Sequence, residues 1–339
     1  MTRRLVSAGE VVVDLVLSVP ALPQRGGDVI ASSIRSEVGC AFNVMAAAAR
    51  QGVPVTYAGL LGTGPMAELA RAALLREGVD IALAPRSGTD TGTVVTLVEP
   101  DGERTFVTTL GAEAQLGGDD LARVTVRPDD VVHVSGYGLA YPCNGPSLRA
   151  WVATLPDTVT LVLDPGPLVD RIPASLLDGV LDRCDWLSAN LAEARALRRG
   201  RGSPDPVDPV DAADTVDAAV LADRLLATVR AGVVVRLGHR GAVVAAAGLP
   251  ATYVPPFPVQ PVDLNGAGDA HVGSLVASIA RDRRAFDPVT AIRRANVAAA
   301  LAVTRHGPGT APTAAEIEAF SGRRRTPEDG SPERLNLSP

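Results

Sequence analysis

The sequence contains no lysine, so all 32 of its positively charged side chains belong to arginine. A P-loop needs the lysine that reaches the β- and γ-phosphates of a nucleotide, and a protein kinase needs a lysine on an N-terminal strand. Enzymes that form a Schiff base need a side-chain amine. The absence of lysine therefore excludes these three classes.

Cysteine is scarce as well. The three cysteines, Cys40, Cys143 and Cys184, lie far apart in the sequence, and no two of them form a CxxC pair. This spacing argues against a zinc site or a disulfide framework and fits the reducing conditions of the cytoplasm. We therefore expect a cytoplasmic protein.

Features that would bind a membrane or a nucleic acid are lacking too. No apolar stretch reaches the roughly 18 to 20 residues that span a bilayer, and Met1 to Arg4 lead into no signal-peptide core. The formal net charge of -6 gives no attraction toward nucleic acid or an anionic membrane. Because aromatic residues make up only 3% of the chain, the core must be built from Val, Leu and Ala.

What is present is an alternation of short apolar strands and helices. Leu5 to Val13 is a β-branched run typical of a buried strand, and similar runs recur after residue 130 with helical stretches between them. This rhythm predicts an α/β fold with a doubly wound, mostly parallel sheet and helices on both of its faces. The later strands are predicted at Val131–Val134, Val159–Leu163, Trp186–Leu187 and Val233–Leu237, and two long helices at Leu264–Ala280 and Val289–Arg305.

Two segments fall outside this rhythm. Residues 91–109 contain two β-branched runs joined by Pro-Asp-Gly, which predicts a hairpin because glycine supplies the unusual φ of the turn. Together with a strand predicted at Asp28–Ile34, this hairpin would form a small β lid over a cleft. We predict one domain of residues 1–320 that includes this lid and a surface insertion at residues 200–211. The polar tail, residues 321–339, is expected to be disordered.

The strongest chemical signal is VDLNGAGDAHVG at Val262–Gly273. Gly266, Ala267 and Gly268 stand directly before a predicted helix, where small residues let backbone N–H groups approach an anion and the helix N-terminus adds partial positive charge. Asp269 is placed to accept a proton from an attacking hydroxyl. Taken alone, the segment favours this function, and an ordinary helix start with an aspartate in its first turn is the alternative.

GAGD, with an aspartate three residues before its first glycine, resembles the C-terminal signature of the ribokinase-like (PfkB) family of carbohydrate kinases. The resemblance covers about residues 4–320, and five motifs follow in the family's order. It implies a ribokinase-like fold in which Asp269 is the general base and residues 266–268 form the anion hole for the transferred phosphoryl group. His271 stands where the family frequently has Phe, and we assign it no catalytic role.

The segment VGCAFNVMAAAARQG at Val38–Gly52 resembles the family's N-terminal signature, a glycine turn that leads into an Ala-rich helix. The resemblance implies that Gly39, Asn43 and the earlier Asp14 bind the hydroxyls of the acceptor, and an amide both donates and accepts hydrogen bonds. Cys40 stands where the family usually has a second glycine. Without the other motifs, a plain glycine turn and a surface aspartate at a strand end explain the same residues.

Two further motifs fall on the nucleotide side. Asn190-Leu-Ala-Glu193 resembles the family's Asn-x-x-Glu motif, which implies that Glu193 organises Mg²⁺; a helix start with Asn as N-cap and Glu at N3 is the alternative. The turn RLGHRG resembles the family's nucleotide-binding turn, with arginine where Thr is frequent. The nucleotide-binding positions that the resemblance implies are Asn190, Arg236, Gly238, Gly241 and Asn296.

The resemblance also implies a K⁺ site beside the anion hole, formed mostly by backbone oxygens. The chain departs from the family pattern near this site, with Asn265 where Thr is frequent and Pro308 where Ala is frequent. It departs again at Gly64 and Ala67, in a segment that usually carries Asp and a later Gly. The implied K⁺ positions are Asp263, Asn265, Ala302, Arg305 and Gly307.

Together these motifs imply ATP-dependent phosphorylation of a hydroxyl on a sugar or sugar-like molecule, with ATP, Mg²⁺ and K⁺ as cofactors. The outer face or free edge of the lid strands is expected to form a homodimer contact. A nucleoside or sugar-phosphate kinase of the same fold is one alternative, and Arg35 and Arg104 are the lid cations that a phosphorylated acceptor would use. A catalytically silent sugar-binding regulator is another, although the intact GAGD and Asp269 argue against it. A Rossmann dehydrogenase would need GxGxxG after the first strand, which this sequence lacks.

Overall fold

The structure, a computed structural model, describes residues 3–199, 213–281 and 286–323. The predicted insertion at residues 200–211 lies outside the described residues. In chain order the strands are β1 (Leu5–Ser7), β2 (Val11–Ser18), β3 (Ser33–Cys40), β4 (Val55–Tyr57), β5 (Asp80–Ile81), β6 (Thr93–Val98), β7 (Arg104–Thr109), β8 (Val131–Ser135), β9 (Thr160–Asp164), β10 (Trp186–Asn190), β11 (Gly232–Arg236), β12 (Ala242–Ala246) and β13 (Leu249–Val254).

Helices connect most of these strands. In chain order they are α1 (Ala41–Ala49), α2 (Pro65–Arg76), α3 (Gly118–Leu121), α4 (Gly136–Ala140), α5 (Asn144–Ala153), α6 (Ala174–Leu181), α7 (Leu191–Arg199), α8 (Ala213–Leu226), α9 (Ala267–Arg281), α10 (Pro288–Ala302) and α11 (Ala314–Arg323). Among the described residues, none of these helices has both the length and the apolar character needed to cross a bilayer.

The body of the molecule is a nine-stranded sheet in the order β13-β12-β11-β10-β9-β8-β1-β4-β5. Its strands are parallel from β11 to β5, and β12 and β13 add an antiparallel edge. The direction of winding reverses at β1, which lies between β8 and β4. Open α/β sheets bind ligands outside the carboxyl ends of the strands at such a reversal. The predicted doubly wound, mostly parallel sheet is therefore confirmed.

Helices cover both faces of this sheet, and the strands divide their apolar side chains between two cores. Val131 packs with α1, α2, α9 and α10 on one face, whereas its neighbour Val132 packs with α5 to α8 on the other. Successive side chains of a strand point to opposite faces, so a continuous β-branched run is what a doubly covered strand requires. The core is largely aliphatic, as the composition indicates.

A separate four-stranded sheet, in the order β3-β2-β6-β7, forms the lid. The predicted hairpin is confirmed: β6 and β7 pair antiparallel, and Gly102 in their turn has φ 88°. The predicted single strand Leu5–Val13 is wrong, because the chain leaves β1 in the body and enters β2 in the lid. The strand predicted at Asp28–Ile34 is also misplaced: the strand is Ser33–Cys40, paired with β2 along its full length. Its sequence is mostly polar and its first four residues are exposed, so no apolar run marks the strand in the sequence.

Local capping explains several helix boundaries. Asp287 accepts a hydrogen bond from the backbone N–H of Thr290 at 2.9 Å, so α10 begins at Pro288. The Asp90 carboxylate accepts from the N–H groups of Met66 and Ala67 at 3.1 and 2.8 Å, which caps α2 from a distant loop. α11 continues to Arg323, so residues 321–323 of the predicted tail are helical, and the rest of that tail lies outside the described residues.

Candidate active site

The GAGD segment forms the start of α9, which begins at Ala267 and not at Leu264 as predicted. Gly266 has φ 77°, and a Cβ on it would lie 2.2 Å from the carbonyl oxygen of Pro308, so no larger residue fits there. The first N–H groups of a helix lack partners within the helix and carry the positive end of its dipole. The turn therefore offers donors to an anion at the entrance of α9.

Asp269 lies in the first turn of α9 and is bonded to α1. The side-chain amide of Asn43 donates to Asp269 Oδ2 at 2.8 Å. Burial raises the pKa of Asp269 to about 6, although Asn43 and the charge of Arg236 oppose this rise. Asn43 Oδ1 is buried and has no hydrogen-bond partner among the described residues. The pair therefore combines a carboxylate that can take up a proton, Asp269, with an amide oxygen of Asn43 that can accept a hydrogen bond from a ligand hydroxyl.

Asp14 approaches this pair from the lid, in the middle of β2 and not at the end of a body strand as predicted. It is paired with Glu37 on β3, and a Cβ on the neighbouring Gly39 would lie 2.4 Å from Asp14 Oδ2. Burial raises the pKa of Asp14 to about 6, and the charges of Glu37 and Asp269 add to the rise. Gly39 is thus the residue that lets the Asp14 carboxylate lie against β3.

The Asn-x-x-Glu motif forms a complete capping box at the start of α7. Asn190 Oδ1 accepts from the N–H of Glu193 at 2.8 Å, and Glu193 Oε2 accepts from the N–H of Asn190 at 2.8 Å. Arg236, at the end of β11, places its guanidinium 3.3 Å from Glu193 and 3.3 Å from Asp164. Its Cζ lies 3.9 Å from the position of a Cβ on Gly268. The structure thus brings Arg236 and the Asn-x-x-Glu motif to the turn at residues 266–268.

The remaining nucleotide-side positions lie around the β11–β12 turn. Gly238 and Gly241 have φ 62° and 84°, and a Cβ on Gly241 would lie 2.3 Å from the carbonyl oxygen of Val254. The amide of Asn296, on α10, donates to the carbonyls of Val254 and Pro255 at 3.1 and 2.9 Å. Both contacts hold the end of β13 in place.

Sequence reasoning missed three residues of this region. Asp164 is the last residue of the otherwise largely apolar strand β9, and this acidic strand end was the available signal. The ring of Tyr137 lies 3.7 Å from the position of a Cβ on Gly166, and its electrostatic neighbours include Asp164 and Asp269. Burial raises the pKa of Glu10 to about 8, so this carboxyl is mostly protonated at neutral pH. Nothing in the local sequence around Tyr137 indicated its position.

The predicted K⁺ residues form a compact loop cluster beside the turn. Asp263 accepts from the N–H groups of Asn265 and Gly307 at 3.0 and 3.1 Å, and from the guanidinium of Arg104 at 2.6 Å. The carbonyl oxygen of Ala302 lies 3.0 Å from the Thr310 hydroxyl. The described residues include no group of three or more His, Cys, Asp or Glu side chains arranged to hold a metal.

Comparison with known proteins identifies the family of the chain. The model of the pfkB family carbohydrate kinases matches residues 2–315. The chain is 35% identical to the uncharacterized sugar kinase YegV of Escherichia coli over 91% of each chain. It is 30% identical to the ATP-dependent ribose-1-phosphate kinase of Halopiger xanaduensis over 95% of this chain and 99% of that protein.

Solved structures give the same fold. A ribokinase from Thermotoga maritima superposes with a TM-score of 0.76 at 20% identity, over 95% of this chain and all of that one. The family match spans the body, the lid and every site motif described above. The protein therefore belongs to the PfkB family of carbohydrate kinases.

Proposed function

We propose that this protein transfers the γ-phosphoryl group of ATP to a hydroxyl of a neutral, sugar-like acceptor. The observation that carries the proposal is the Asn43–Asp269 pair at the entrance of α9, joined at 2.8 Å. It places a proton acceptor next to a turn of anion-binding N–H groups, and in-line phosphoryl transfer requires both. The ATP-dependent relative at 30% identity supports ATP as the donor.

In this mechanism Asp269 takes the proton of the acceptor hydroxyl while the hydroxyl oxygen bonds to the γ-phosphorus. The bond from the γ-phosphorus to the bridging oxygen breaks, and ADP leaves with that electron pair. The N–H groups of residues 266–268 and the guanidinium of Arg236 stabilise the charge on the transferring group. Because burial raises the pKa of Asp269 to about 6, the carboxylate is ionised at neutral pH and is still a better base than an ordinary aspartate.

The two carboxylates beside Arg236, those of Glu193 and Asp164, are suited to bind Mg²⁺. Mg²⁺ retains several waters and needs only one or two carboxylates besides the phosphates. The carboxylates of Glu193 and Asp164 are largely buried and lie 3.3 Å from Arg236, which leaves lone pairs for hydrated Mg²⁺. These two residues would hold the ion, which neutralises phosphate charge when bound.

Side chains of the lid and of α1 indicate the chemical class of the acceptor. Asp14 and the unpartnered Asn43 Oδ1 are acceptors suited to hydroxyl donors. Arg35 is paired with Glu37 at 2.7 Å and Arg104 with Asp263 at 2.6 Å. Because carboxylates already neutralise both lid cations, the arrangement favours an unphosphorylated sugar over a sugar phosphate.

We also propose that a second copy of the chain covers the lid. Ile34 on β3, with Phe106 and Val107 on β7, is more than half exposed, at 66%, 59% and 58%. These two strands are the outer strands of the lid sheet, and bare strand edges readily pair with another chain. The occupant that fits is therefore the matching edge of a second lid.

A screen of acceptors tests the reaction. ADP formation from MgATP should be measured over panels of sugars, nucleosides and sugar phosphates. We expect the highest kcat/KM for an unphosphorylated sugar. A preference for a sugar phosphate or a nucleoside would contradict the acceptor class. ATP binding without turnover on any panel would indicate a silent regulator.

A further inference from the structure

The residues for which the sequence implies K⁺ do not fit that ion. The Asp263 side chain is only 5% exposed, and its oxygens already accept from Asn265, Gly307 and Arg104. The carbonyl oxygens of Ala302 and Gly307 lie 3.0 and 3.1 Å from the Thr310 hydroxyl. A K⁺ site needs several oxygens free to face one point. Here the guanidinium of Arg104 already pairs with the Asp263 carboxylate, which would supply the negative charge for K⁺.

Arg104 is suited to act as that cation. It begins β7, an outer strand of the lid, and reaches Asp263 at 2.6 Å across 159 residues of sequence. A buried carboxylate needs a partner charge, and guanidinium stays protonated throughout the accessible pH range. Arg104 therefore keeps its positive charge throughout that range, and its contact with Asp263 depends only on the position of the lid.

Asp263 also fixes both sides of the anion-binding turn. One oxygen accepts from the N–H of Asn265, which directly precedes Gly266, and the other accepts from the N–H of Gly307. The next residue, Pro308, packs against Gly266 so closely that a Cβ there would lie 2.2 Å from its carbonyl oxygen. A shift of the Asp263 carboxylate would therefore move the turn and the loop that supports it.

We propose that the guanidinium of Arg104 takes the place of K⁺ at Asp263 and couples the lid to the anion hole. When the lid closes, Arg104 completes the charge balance of Asp263 and the turn at residues 266–268 acquires its binding geometry. When the lid opens, the turn loses this support. Arg104 is thus a positioning residue, and its effect on catalysis rests on the proposed phosphoryl transfer.

Two measurements without acceptor test the structural part. At constant ionic strength, the melting temperature of the native protein should be equal in potassium and tetramethylammonium chloride. Hydrogen exchange of residues 262–268 should be faster in Arg104→Ala than in the native protein. Arg230→Ala is the matched control, because Arg230 pairs with Asp157 at 2.9 Å and donates to the carbonyl of Asp182, and neither partner belongs to the turn or to the loop at Gly307. A K⁺-specific rise in melting temperature, or equal exchange in the two variants, would overturn the proposal.

With a substrate from the screen, turnover gives an independent readout. We expect Arg104→Ala to lower kcat about tenfold, the size expected when a hydrogen bond to a charged group is lost, with Arg104→Lys restoring part of it. Native turnover should be the same with and without K⁺. If K⁺ activates the native protein, the inference fails although the proposed function stands. If no acceptor reacts, the function fails and the exchange result still decides the inference.

Discussion

The charges around Asp269 determine its chemistry at the scale of single residues. Because burial raises its pKa to about 6, with Arg236 and Asn43 opposing the rise, the carboxylate becomes protonated as pH falls through that value. Asp14 titrates in the same range. A general base works only when deprotonated, so we expect kcat/KM to fall below about pH 6 and to be flat above it.

Replacement of Arg236 separates its electrostatic role from simple packing. In Arg236→Met the charge that lowers the pKa of Asp269 is lost, so the acidic limb of the kcat/KM profile should move to higher pH. Arg230→Met should leave the limb where it is, because Arg230 pairs with Asp157 and lies at the opposite end of β11 from Arg236. The measurement is kcat/KM of the three proteins across the acidic range. An unmoved limb in Arg236→Met would show that Arg236 does not act on the base.

Removal of the base itself should abolish turnover. Asp269→Asn retains the size of the side chain and an oxygen that can accept from Asn43, so folding and ATP binding should be preserved. Loss of a general base costs at least about 10²-fold in rate. Calorimetric titration with ATP, together with single-turnover kinetics, checks both parts. Near-native kcat in this variant would remove Asp269 from the mechanism.

At the scale of elements, the junction between β3 and α1 contains local strain. Cys40 has φ 58° and ψ -134°, a region that non-glycine residues rarely occupy and that costs on the order of 1–3 kcal/mol. Cys40→Gly should therefore raise the free energy of unfolding by about 1 kcal/mol after the extra entropy of glycine in the unfolded chain is subtracted. Urea titration measures the difference.

Cys143 offers a matched control. Its φ of -81° and ψ of -46° are ordinary helical values, so Cys143→Gly should lower the free energy of unfolding by up to about 1 kcal/mol. If both glycine variants are destabilised alike, the backbone of Cys40 is not strained. If only Cys40→Gly is stabilised, the backbone conformation that joins β3 of the lid to α1 is strained in the native protein.

The lid is also where ligand-dependent motion should appear. If the acceptor binds Asp14 on β2 as proposed, closure at saturating acceptor should protect Ser33–Cys40 and residues 93–109 from hydrogen exchange. ATP alone should have a smaller effect, because closure is driven only by contacts that differ between the open and closed states. Exchange that stays the same with acceptor would make this sheet a fixed part of the body.

The sequence predicted the elements whose signals are local. The β6–β7 hairpin has its turn residues and the α9 entrance has its glycines, so both could be identified from short segments. β3 was misplaced because an exposed lid strand carries few apolar residues. The roles of Asp164 and Arg104 arise from partners far away in sequence, at Arg236 and Asp263, and no local pattern reports such contacts.

At the scale of the whole molecule, the lid edges predict assembly. If a second lid covers Phe106 and Val107, changing either to glutamate places an unpaired charge in the contact and should favour the monomer. Sedimentation equilibrium of the native protein and of Phe106→Glu measures this. Val216→Glu is the control, since Val216 is 50% exposed on α8, which packs against β11, β12 and β13 of the body. A native protein that is monomeric at high concentration would contradict the assembly.

The strand order also determines how the chain must fold as it leaves the ribosome. β1 pairs with β4 about 50 residues later, but its other neighbour, β8, begins at Val131, opposite Leu5. At synthesis rates of about 5–20 residues per second, roughly 6 to 25 seconds separate the synthesis of β1 from that of β8. During that interval one edge of β1 has no neighbour. Nascent chains that stall before residue 131 should therefore aggregate or recruit chaperones, whereas chains released after β8 has emerged should close the centre of the sheet.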